Sequence, residues 1–128
     1  MRVVILAGLV VLLASMPARS APDADTPTGR WDREDGLGGI DIAPCGDALC
    51  GTIVWLRDRD TPARVGQRVL FDMRRTATDQ WSGSALNPED GRTYAGTMVL
   101  AGSRLTTRGC LFGGLICRSV ALVRLPRP

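Results

Sequence analysis

An all-β fold is what this 128-residue chain predicts: one antiparallel sheet of about eight short strands, arranged as a sandwich or an up-and-down barrel. Three observations carry that expectation. Short runs of Val, Ile, Thr, Trp and Leu recur from residue 29 to residue 125. Turn formers separate them at hairpin intervals, at Asp35-Gly36, Gly46-Asp47, the run 87–91, Ala101-Gly102 and Gly113-Gly114. Helical periodicity is missing beyond the first apolar run, and there is no internal repeat or second domain.

The N-terminal segment reads as an export signal. Arg2 precedes an apolar stretch over residues 3–14, and Ala18-Arg19-Ser20 sets small residues at the two positions that signal peptidase inspects. A membrane anchor needs about 20 apolar residues, and Pro17 with Arg19 interrupts this run too early. Residues 1–20 are therefore expected to be a signal peptide cleaved after Ser20. The mature chain is expected in the periplasm or secreted, with no membrane span. Residues 21–28, polar and Pro-rich, read as a flexible mature N-terminus, and residues 29–125 as the β domain.

Within that domain, strands are expected at 29–32, 39–43, 50–56, 68–73, 80–84, 93–100, 104–111 and 116–124. The run 93–100 shows the logic. Tyr94, Gly96, Met98 and Leu100 form one bulky apolar face, and Thr93, Ala95, Thr97 and Val99 form the other. Glycines 51, 83, 96 and 109 lie within or beside strands, where glycine marks bends or bulges. The stretch 58–67, broken by Pro62 and Gly66, reads as a surface loop.

Charge and composition narrow the function classes. Removing Arg2 and Arg19 with the signal leaves 14 basic against 13 acidic residues, a net charge of +1. Arginines interleaved with aspartates, as in Arg57-Asp58-Arg59-Asp60, make a self-neutralising surface rather than a nucleic-acid face. The chain has no histidine, which removes Ser-His-Asp and Cys-His catalysis and His-containing zinc sites. No catalytic residue, metal or cofactor is predicted. The Asp32–Asp41 carboxylates do not match a calcium loop, because its sixth position is Leu37 where glycine is required. In Asn87-Pro88-Glu89-Asp90-Gly91, a turn accounts for every residue type without invoking a carboxylate pair.

Four cysteines in an exported chain favour disulfides over thiolate metal ligation, and the gap from Cys110 to Cys117 is too wide for a typical zinc pair. Turns centred on Asp47-Ala48 and Gly113-Gly114 set Cys45 opposite Cys50 and Cys110 opposite Cys117. The expected bridges are those two pairs, with crossed pairing as the alternative. A two-residue loop would give Cys110 and Cys117 a hydrogen-bonded position, less comfortable for a bridge, so that loop is expected to be longer or bulged.

Taken in order, GRWDREDG, IDIAPCGDALCGTIVWL, WSGSALNPEDGRTY, LTTRGCLFGGLIC and RSVALVRL resemble a family of small exported bacterial proteins of unknown function. The signature positions are Trp31, Trp55, Trp81, Gly83, Pro88, Asp90, Gly91 and Tyr94. The resemblance implies a lipocalin-like β-barrel able to hold a small apolar or amphipathic ligand, and it implies no catalytic residue. Trp55, Trp81, Tyr94, Arg108 and Arg118 are the candidate ligand contacts. The competing expectation is an envelope protein-interaction or inhibitor module that works through surface loops such as 58–67.

Overall fold

The computed structural model describes residues 2–4, 7–13 and 26–125. The predicted cleavage site and residues 21–25 lie outside the described residues. Eight antiparallel strands close into one barrel in sequence order. They are β1 (Gly29–Arg33), β2 (Gly38–Cys45), β3 (Ala48–Leu56), β4 (Arg68–Ala77), β5 (Gln80–Asn87), β6 (Arg92–Ala101), β7 (Arg104–Leu111) and β8 (Ile116–Arg124). The closing pair is β1 with β8, which sets Trp31 opposite Arg124. Closure removes the free edges that an open sheet of this composition would expose. All eight strands were expected. β2, β4 and β5 run further than the sequence indicated, to Cys45, Ala77 and Asn87.

Along β6 the burial alternates as the pattern requires, with Tyr94, Gly96, Met98 and Leu100 inward. The core packs Trp31, Ile42, Leu70, Met73, Trp81, Met98, Leu105 and Leu122 at one end of the barrel. Trp31 caps that end. Its indole N–H donates to the Pro27 carbonyl at 2.7 Å. The Arg124 guanidinium lies 4.4 Å from the ring centroid and donates to the carbonyls of Thr28 and Thr26 at 2.9 and 2.7 Å. The flexible segment expected over 21–28 is thus held at its last three residues, where Pro27 is buried.

β4 departs from regular geometry. Its register with β5 shifts between Phe71 and Arg74, and Asp72 takes a positive φ of 51°. That bulge turns two carbonyls toward β5. A Cβ at Gly83 would meet the Phe71 carbonyl oxygen and lie 2.6 Å from that of Asp72. Only a residue without a side chain fits there, which gives the signature glycine a structural cause.

Both expected disulfides form, Cys45–Cys50 and Cys110–Cys117. They mark a chain that matures in an oxidising compartment rather than the cytosol. The geometry of the first differs from expectation. The β2–β3 turn is centred on Gly46-Asp47, so Cys45 faces Ala48 while Cys50 faces Ala43, and the bridge runs diagonally. Gly46, at φ 65°, supplies the tight turn, and this pulls the centre one residue earlier. The second pair is directly opposed, with Cα atoms 4.1 Å apart. That is the spacing of a non-hydrogen-bonded pair. It arises because the loop spans four residues, starting with the 3-10 turn Phe112–Gly114.

Candidate functional site

The strand directions place four connections at the end of the barrel away from Trp31: residues 34–37, 57–67, 88–91 and 112–115. Between them opens a cavity of about 520 Å³. That volume lies within the range of small-molecule sites, and eight strands leave room for one such ligand. Ile40, Ile53, Val69, Leu70, Ala85, Val120 and Leu122 form its lower wall, continuous with the packed core. Polar groups gather at the rim: Arg33, Asp58, Asp60, Asn87, Glu89, Tyr94 and Arg118, with Thr107 lower on the wall opposite Val120.

The loop 57–67 is tied back onto β3 and forms part of this rim. The Ile53 N–H donates to the Gln67 carbonyl at 2.9 Å, and the Gly66 N–H donates to the Ile53 carbonyl at 2.8 Å. Thr61 accepts from the Ala63 N–H, and the Arg64 guanidinium donates to the Thr61 carbonyl. A segment that sequence gave only as a surface loop therefore borders the cavity. In the neighbouring connection, which accepts the Arg57 N–H at the Leu37 carbonyl at 3.0 Å, Arg33 grips Asp35 through two bonds of 3.0 and 2.7 Å. That guanidinium, aided by the Leu37 amide, holds the Asp35 carboxyl below its ordinary range.

The β5–β6 turn is built as its residues require. Asn87 Oδ1 accepts from the Glu89 N–H at 3.0 Å, and the Gly91 N–H closes the turn onto the Asn87 carbonyl at 2.8 Å. Asp90 accepts the Arg92 N–H at 2.8 Å with one oxygen and the Tyr94 hydroxyl proton with the other. Tyr94 thereby links the turn to the cavity wall. The hydroxyl donor lowers the Asp90 pKa, and the backbone amide and the positive charges of Arg92 and Arg118 lower it further. The same carboxylate raises the Tyr94 pKa, and Arg118 opposes that rise.

The five candidate contacts fall in different places. Tyr94 and Arg118 line the cavity, and Arg118 lies on the inward row of β8 with Val120 and Leu122. Arg108 borders the cavity, but pairing opposite Ser119 places it on the alternate row, so the two arginines do not share a face. Trp81 packs in the floor beneath the cavity, paired with Met98 and stacked under Arg75 at 5.0 Å. Trp55 lies outside the cavity lining. Its indole N–H donates to Asp32 Oδ1 at 2.8 Å across the top of Gly39. The register shift between Gly39 and Ile40 separates it from the inward row of Ile53. Sequence alternation counted through that bulge loses track of the face. Of the signature positions, Trp31 seals the base, Gly83 accepts the bulge, and Pro88, Asp90 and Gly91 shape the turn that fixes Tyr94. Among the described residues, no group of three or more His, Cys, Asp or Glu side chains is placed to hold a metal ion, and no helix is long and apolar enough to cross a membrane.

Comparison with known proteins agrees with this architecture. Among solved structures, protein HP1028 from the human pathogen Helicobacter pylori, described as belonging to the lipocalin family, superposes with a TM-score of 0.61. The match has 15% sequence identity and covers 77% of this chain and 82% of that one. At that identity the likeness is one of fold, a lipocalin-like barrel. No curated protein matches the chain. A family model described as "Uncharacterized protein conserved in bacteria (DUF2147)" matches residues 29–124, from the first strand to the last. With the whole barrel inside that match, the chain belongs to this bacterial DUF2147 family.

Proposed function

We propose that the protein binds one small apolar or amphipathic molecule in its barrel, and that it acts as a binding protein rather than an enzyme. The observation that carries this reading is the cavity of about 520 Å³, apolar below and polar at its open rim. Burying the tail of an amphipath against Ile40, Ile53, Val69 and Val120 gains roughly 25 cal/mol per Å² of apolar surface. Asn87, Tyr94 and Arg118, with the carboxylates of Asp58, Asp60 and Glu89, give the rim the mixed polar character that a polar head requires.

A binding role rather than catalysis is supported by the lack of histidine in the sequence and by the engagement of Asp90 in its turn. The loop 57–67, which sequence alone left free for a protein partner, contributes Asp58, Asp60 and Thr61 to the cavity lining, and this favours the small-ligand reading. Residues 1–20 direct export to the periplasm or beyond, in keeping with the two bridges. Native mass spectrometry of the protein recovered from a bacterial envelope tests the proposal. The expected spectrum shows a chain beginning at Ala21 with an added small-molecule mass that organic solvent removes. A ligand-free mass, with no uptake from a panel of fatty acids and lysolipids, would refute the binding role.

A further inference from the structure

The tip of the β7–β8 hairpin is the most exposed apolar feature of the barrel. Phe112, Leu115 and Ile116 stand 66%, 85% and 49% exposed, with no buried residue in the turn between them. Phe112 also takes a φ of 54°, a conformation that is costly for a bulky residue. The Cys110–Cys117 bridge clamps the base of this tip, so its apolar side chains stay outward instead of folding back onto the sheet.

The strands that carry the tip are rich in arginine, while the neighbouring β5–β6 turn carries Glu89 and Asp90, the latter within the field of Arg92 and Arg118. None of the chain's 13 acidic residues follows Asp90, whereas β6–β8 carry Arg92, Arg104, Arg108, Arg118 and Arg124. Arg104 pairs with Glu34 and Arg124 stacks on Trp31. Arg92, Arg108 and Arg118 take part in no ion pair among the described residues. Two of them flank the tip directly. A single hairpin tip also offers far less than the ~800 Å² per partner of a stable protein interface. Shallow apolar insertion beside a cluster of cations is, in contrast, sufficient for peripheral membrane binding, which needs two such signals together.

We propose that this tip is a membrane-docking finger. Phe112, Leu115 and Ile116 enter the interface of an anionic phospholipid bilayer, and Arg92, Arg108 and Arg118 contact its headgroups. The tip lies at the same end of the barrel as the cavity rim, so docking turns the open mouth toward the lipid. Arg108 and Arg118 also line the cavity, whereas Phe112, Leu115, Ile116 and Arg92 lie outside its lining, so protection over residues 110–117 reads docking apart from ligand binding.

Vesicle binding of the full chain tests it, using phosphatidylcholine alone or with about one-third phosphatidylglycerol. Hydrogen exchange on the vesicles locates the contact, which distinguishes the tip from the apolar N-terminal run. The expected result is binding to the anionic vesicles, with new protection over residues 110–117. Phe112→Ser with Leu115→Ser should abolish that protection. Arg108→Gln with Arg118→Gln should weaken binding by about fivefold per arginine. Near-ultraviolet circular dichroism and an intact 110–117 bridge verify the fold of each variant. Protection confined to residues 1–20, or unchanged protection in the Phe112/Leu115 variant, overturns the proposal. A tip that ignores vesicles of both compositions also overturns it and leaves the hairpin as a protein-docking surface.

Discussion

Arg124 does at the closed end of the barrel what no apolar residue could. Its guanidinium covers the Trp31 ring while two of its N–H groups satisfy the carbonyls of Thr26 and Thr28. Hydrogen bonds to a charged donor and a partly desolvated cation–π contact are each worth on the order of 1–2 kcal/mol. Arg124→Ala is therefore expected to cost about 2–3 kcal/mol, read as a lower urea midpoint, with Arg124→Lys recovering only part of it. At the open end, Tyr94 and Asp90 make a pair that titrates in opposite directions. The Asp90 pKa is lowered by the Tyr94 hydroxyl, so its stabilisation is complete above the ordinary 3.8 and is lost as pH falls through the lowered value. The Tyr94 pKa is raised by Asp90, so its contribution is complete below 10.0 and is lost as pH rises through the raised value. Tyr94 is the only tyrosine in the chain, so an ultraviolet titration reads it alone. Its midpoint should lie above 10.0 and should drop in Asp90→Asn. Equal midpoints in the two proteins would dissociate the pair.

Among the strands, β4 carries the bulge that meets Gly83. Its bulge at Asp72 brings two carbonyls against Gly83 on β5. A methyl group there has no rotamer by which to escape, because the opposing atoms are backbone. Gly83→Ala should destabilise by about 1–3 kcal/mol, the usual range for overpacking, whereas Ser82→Ala beside it on the outer row should stay within about 0.5 kcal/mol. Matched thermal melts of the two variants check the difference. The hairpins contrast in a related way. Gly113-Gly114 marks the centre of the β7–β8 turn in sequence as in space, so the direct opposition of Cys110 and Cys117 was legible. The β2–β3 turn moved by one residue because Gly46 takes the positive φ. Cys45 and Cys50 still meet, since diagonal neighbours on one face are also within bridging reach, with Cα atoms 5.8 Å apart.

At the scale of the whole molecule, the barrel is packed at one end and hollow at the other. Val120 lies on the inward row between these halves, packed against the core and lining the cavity. Val120→Trp should fill the space, abolish uptake of an amphipathic fluorescent probe and leave the melting temperature unchanged or higher. Retained uptake at full affinity would place the ligand elsewhere. The strand count, the turn positions to within one residue, the inward face of β6 and the favoured disulfide pairs followed from sequence alone, because turn chemistry and period-two alternation are local properties. Tertiary structure decided the rest. A bulge shifts register without changing composition, so Trp55 went to the outer wall; the regular β7–β8 ladder set Arg108 and Arg118 on opposite rows, and closure of the ring put Trp81 in the packed floor. The cavity is the volume left when eight strands close and their side chains fill only the lower half, and a difference of that kind exists only once the ring is closed.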